Sequence, residues 1–143
     1  MGEATMRRAG RALLVASVAG LLGACGILSG SDEPWDEPAD YTYDATITVF
    51  GPSAGEWRIT VRDHAVAGAR PLDDTALGSS ATLDDFATFA EYEAGHAQAQ
   101  ERGDAVSRLV RTRDGALKSY EHDGSKDAVD DEYLIVVSQV TVP

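Results

Sequence analysis

The chain has 143 residues, and its 12 Lys and Arg against 24 Asp and Glu give a formal net charge of −12. An acid excess of that size excludes the broad basic surface that nucleic acids and anionic membrane surfaces select, so no nucleic acid is expected as a partner. The single cysteine excludes an intrachain disulfide, and the fold must stand on an apolar core, which about 100 residues can build.

The N-terminal stretch reads as a processing signal. Arg7, Arg8 and Arg11 form a positive start, and Ala12 to Ala24 are small or apolar. That is the secretory layout, and it falls short of the roughly 20 apolar residues of a membrane span. It closes on Leu22-Gly23-Ala24-Cys25, which resembles the bacterial lipoprotein box: an aliphatic residue, two small ones and a cysteine. The thiol takes up a diacylglyceryl group, and the small residues open the preceding bond to a peptidase. A lone exported thiol would otherwise oxidise. The expectation is a signal peptide over 1–24, lipidation at Cys25, and a protein held by that lipid on the extracytoplasmic face of the cell membrane. An ordinary secretory signal that happens to end near a cysteine is the plainer alternative. Without residues 1–24 the chain keeps nine bases and 23 acids, a formal charge of −14.

Residues 25–40 follow as the lipidated cysteine and a linker. Gly26 to Asp40 hold two prolines and five acids with little apolar periodicity, which predicts a disordered acidic spacer. Fully extended, it would reach about 50 Å. Trp35 stands out there; docking back on the domain or no role at all is the plainer reading, and a partner contact the alternative.

An α+β domain over 41–143 is expected next. Tyr41, Tyr43, Ala45, Ile47 and Val49 alternate with Thr42, Asp44, Thr46 and Thr48, the period of a half-buried strand. Gly51 to Gly55 make a turn, and Trp57, Ile59 and Val61 alternate on the return strand. A turn at Asp63-His64 leads to a short strand around Ala65 to Ala69, and 70–81 read as a loop. Thr82 and Asp85 approximate a capping box, predicting a helix from Thr82 to about Gln100 or Arg102, with Leu83, Phe86, Ala87, Ala90, Ala94 and Ala97 on its buried face. Ala105 to Thr112, Leu117 to His122 and Tyr133 to Val142 read as three more strands, the first two joined at Asp114-Gly115. The order is βββ-α-βββ: an antiparallel sheet with one helix packed across one face.

Four stretches carry a family resemblance: Tyr41-Thr42-Tyr43, Trp57 to Asp63, Thr82 to Phe86, and Asp127 to Glu132 running into an aromatic-aliphatic strand. The pattern resembles the small bacterial secreted or lipoprotein family catalogued as domain of unknown function 6174, over about residues 41–142. Members often carry a cysteine pair after the first strand, where this chain has Phe50 and Gly51, and a Gly-aromatic-Pro turn where it has Gly115-Ala116-Leu117. The resemblance implies location and fold and supplies no activity.

Candidate chemistry is sparse. Asp123, Asp127, Asp130, Asp131 and Glu132 are weak candidates for a Ca²⁺ site, since calcium takes oxygen ligands. Counted from Asp123, the EF-hand spacing fails, with Ala128 sixth and Leu134 twelfth, so a solvated acidic turn is the plainer reading. His64, His96 and His122 lack the close spacing of a metal pair. No cofactor and no catalytic residue is expected, and the serines lack a nucleophile-elbow setting. Trp57, Tyr41, Tyr43, Tyr120 and Tyr133 sit on strands, and core packing against the helix is the cheaper reading for most of them. One helix cannot cover six strands, however, so part of the sheet is expected open, and an exposed aromatic face is a candidate for partners. A binding module with an envelope protein partner leads, ahead of a small-molecule or Ca²⁺ binder and, last, an enzyme.

Overall fold

The structure is a computed structural model in which residues 30–128 and 130–143 are described. The expected signal over 1–24 and Cys25 lie outside them. Six strands form one antiparallel sheet: β1 (Tyr41–Val49), β2 (Gly55–Arg62), β3 (Ala65–Pro71), β4 (Val106–Arg111), β5 (Leu117–Asp123) and β6 (Glu132–Thr141). Their spatial order is β3-β2-β1-β6-β5-β4, so the last strand inserts beside the first and two three-stranded meanders meet at β1 and β6. This is the α+β, βββ-α-βββ arrangement that the alternating pattern predicts.

Alternation sets the two faces. Tyr41, Tyr43, Ala45 and Ile47 are buried on β1, as are Trp57, Ile59 and Val61 on β2, and Tyr120 and Ile135 join them from β5 and β6. The β2–β3 connection is a two-residue turn, with Asp63 and His64 at φ of 50° and 61°. Two positive φ values give the backbone twist that matches the strands of a tight hairpin.

The helix begins six residues later than its first capping signal predicts. Thr82 and Asp85 do form a capping box, but it caps only a 3-10 turn over Leu83–Asp85. A second box, Thr88 with Glu91, starts the long helix at Phe89 and carries it to Arg102. Gly103 ends it at φ 73°, a left-handed cap that glycine adopts without Cβ strain. The buried face is therefore Phe89, Tyr92 and Ala99, while Ala90, Ala94 and Ala97 face solvent. Phe86 is buried as expected, but from an extended link, where its ring meets Trp57 at 4.8 Å between centroids.

The stretch 70–81, expected as a loop, contains a four-residue helix, Asp74–Leu77, capped by the Asp73 carboxylate. We call it α1 and the Phe89–Arg102 helix α2. The two helices divide the work: α1 and the 3-10 turn lie over β2 and β3, and α2 lies over β4 and β5. Tyr41, Tyr43, Trp57 and Tyr120 are buried on this face and Tyr133 is partly buried. The expected open aromatic face is not found; the open face is the opposite one, carrying Thr42, Thr46, Thr48, Thr60, Leu134 and Val136.

The described part of the expected spacer, 30–40, is docked. Trp35 packs on Tyr41 and Phe89 with centroids 5.4 and 5.7 Å away. Glu37 accepts hydrogen bonds from the Tyr41 hydroxyl and the Ala90 amide. Ser31 N–H donates to the Thr112 carbonyl at 3.0 Å, and Arg111 donates to the Asp32 carbonyl at 3.3 Å. Gly115, at φ 90°, leaves room for this strap, since a Cβ there would come within 2.9 Å of the Glu33 carbonyl and the Trp35 amide. Acid and proline content speaks for disorder only where nothing long-range rewards order, and Trp35 supplies that reward.

Candidate functional site

The β1, β4, β5 and β6 strands end together opposite the β4–β5 turn, and a groove of about 320 Å³ opens there. Register builds its floor. Thr48 lies opposite Leu134, Leu134 opposite Glu121, and Glu121 opposite Arg108; one row out, Glu132 faces Asp123 and Asp123 faces Val106. Val106 and Leu134 bring apolar side chains to the lining from either side of Glu121 and Asp123 on β5, and Asp130 and Glu132 line it with them. Phe50 forms a wall and is 81% exposed. An aromatic ring that exposed gives up the burial that would stabilise it by about 1.5–3 kcal/mol.

His122 lines the same groove, and its Nε2 lies 2.8 Å from Asp104 Oδ2. Arg102 shares that carboxylate at 2.6 Å. Arg102 first, and His122 after it, hold the Asp104 carboxyl down at about 2 against an ordinary value of 3.8. Beneath them, Tyr92 and Tyr133 share a hydroxyl contact at 2.6 Å, and burial pushes both phenols well above their usual range. These rings are part of the packed interface, not proton carriers at neutral pH.

The acidic candidates divide. Asp123, Asp130 and Glu132 line the groove, Asp127 is exposed away from it, and Asp131 turns an Oδ1 inward that finds no hydrogen-bond partner among the described residues. Among the described residues no three His, Cys, Asp or Glu side chains come together as a metal would require. The histidines separate too: His64 is in the β2–β3 turn, and His96 Nδ1 lies 2.7 Å from Ser107 Oγ. That Ser–His pair ties α2 to β4, and neither residue lines the groove.

Two other open-face grooves of about 320 Å³ are more polar; one is crossed by the Asp44–Arg58 ion pair at 2.5 Å and holds Thr42, Thr60 and Gln139. Phe50, Glu121 and Val106 are not singled out by sequence as site residues, and His122 is weighed there only as a metal ligand. One signal for Phe50 was present: period two puts it on the threonine face of β1, where an aromatic ring has no core to enter. The others depend on register between strands far apart in the chain.

The fold is a six-stranded antiparallel α+β sheet with one covered and one open face, and its most distinctive surface is an acid-rimmed apolar groove. No family model, curated protein or solved structure matches the chain. Among the described residues no helix is long and apolar enough to cross a membrane.

Proposed function

We propose that this chain is an exported lipoprotein, anchored through Cys25 on the extracytoplasmic face of the cell membrane, and that its α+β domain is a binding module at the cell envelope. The anchor rests on Leu22-Gly23-Ala24-Cys25 after an apolar run. The observation that carries the binding role is Phe50, 81% exposed in the wall of a groove that no part of the described chain fills. The likeness to the uncharacterised lipoprotein family agrees with this location and adds no activity.

The docked strap changes what the anchor would do. Only residues 26–29 separate Cys25 from Gly30, so the Cα atoms of 25 and 30 are at most about 18 Å apart. On this reading the domain sits close to the bilayer, with its β4–β5 turn nearest the membrane because the strap is tied to Thr112. The groove opens at the other end of the seven-residue β5, about 20 Å along the strand. It would face the aqueous envelope and not the anchoring lipid. Two acyl chains would make such anchoring stable, where one gives only marginal binding.

Fractionation tests the anchor. Expressed in a bacterial host, the chain is expected in the membrane fraction, and Cys25→Ala is expected to move it to the soluble exported fraction. A Cys25→Ala protein that still sediments with membranes through a high-salt wash would refute lipid anchoring.

A further inference from the structure

We infer that the groove at the β1, β4, β5 and β6 end docks a basic, partly apolar stretch of a partner polypeptide in extended form. Such docking presupposes the binding-module reading but not the lipid anchor. Shape supplies the first reason. The lining crosses four adjacent strands, from Thr48 through Leu134 and Glu121 to Val106. Neighbouring strands lie about 4.8 Å apart, so the crossing spans roughly 14 Å, the length of about four extended residues. A single small ion would leave most of that length empty.

Charge supplies the second. Glu121 meets Arg108 only loosely, at 3.7 Å between exposed side chains. Among the described residues no Lys or Arg forms an ion pair with Asp123, Asp130 or Glu132. Several carboxylates around one cleft focus a negative potential, and a cationic segment entering it gains attraction and on-rate. Acids alone would not define a docking surface, because they solvate well. The exposed Phe50 ring, with Val106 and Leu134 in the same groove, is what water serves badly. Alternation of the two side-chain types is what an extended segment offers, with successive residues pointing to opposite sides. Apolar side chains would lie on Leu134 and Phe50 while arginine or lysine reached the rim.

The test uses the full chain carrying Cys25→Ala, so that no acyl chain takes part, and a fluorescent pentapeptide alternating arginine and leucine. Anisotropy titrations at low salt are expected to show saturable binding. The affinity is expected to fall at least tenfold with Phe50→Ala and at least tenfold with Asp123→Asn/Glu132→Gln. Asp84→Asn/Asp114→Asn, which removes two acids elsewhere, is expected to change it less than twofold. All five residues carry exposed or half-exposed side chains, and unchanged thermal midpoints would verify the folds. Absence of saturable binding would overturn the inference. So would equal weakening by the two double variants, which would mean general attraction to an acidic protein, or equal binding of a glutamate-leucine pentapeptide. Arginine amide binding as tightly as the pentapeptide would exclude a polypeptide in favour of a small cation. Failure on any of these counts leaves the Cys25 fractionation result untouched.

Discussion

Phe86 and Phe89 stand three residues apart and do different jobs. Phe86 closes the Trp57 side of the core from an extended link, and Phe89 enters from the first turn of α2 to meet Trp35, Tyr41 and Tyr43. Phe89→Ala is expected to cost about 3–5 kcal/mol in urea unfolding, the cost of an aromatic cavity that neighbours cannot fill. Ala94→Lys, on the exposed face, is expected to stay within about 0.5 kcal/mol. A reversal of those two results would put the helix in the register that starts at Thr82. Asp104 carries the clearest pH dependence. Its folded carboxyl, at about 2, titrates below the ordinary 3.8, so its pairing stabilises the fold above about pH 4 and is lost as pH falls toward 2. Asp104→Asn is therefore expected to lower the thermal midpoint slightly at pH 6 and to flatten its decline between pH 4 and pH 2. The carboxylate is shared with an exposed arginine, so the effect is modest.

Two capping boxes six residues of chain apart show how far an element's own sequence goes. Thr82 with Asp85 and Thr88 with Glu91 both satisfy the local rule, and both form. The first yields only one 3-10 turn because Phe86 must leave the helical path to reach Trp57 on β2. Nothing within residues 82–91 carries that instruction; it comes from the position of β2. Thr88→Ala should remove the cap that starts α2 and cost about 1 kcal/mol, measurable in the same urea titrations. The strap makes the same point. Its prolines and acids read as a spacer, yet Trp35 and Glu37 find partners on the adjoining β1 and on α2, the latter far along the chain. Trp35→Ala is expected to destabilise by about 2 kcal/mol, less than the value for a fully buried ring because Trp35 is only half-buried. It should also raise amide exchange at Ser31, whose hydrogen bond to Thr112 holds the strap. Unchanged exchange there would mean that the strap is held without the ring.

At the scale of the whole molecule, the faces of β1 and β2 were legible in the chain itself. Alternation is a local property: it states which side chains share a face, and burying one face is enough to orient a strand. By the same rule the sequence alone determined six strands, a helix between the third and fourth, and an expectation of export that ends at Cys25. It did not determine which face stays open. One helix looked too small to cover six strands, but α1, the 3-10 turn and the strap complete the cover over β2, β3 and the start of α2. The free surface is therefore the threonine face and its acid-rimmed end, not the aromatic face. The groove was beyond sequence for a plain reason. Phe50, Val106, Asp123 and Leu134 come from four strands, and only the insertion of β6 between β1 and β5 makes them neighbours. Periodicity along one chain sorts residues by side; cross-strand register, set by the packing of the entire sheet, decides which of them meet.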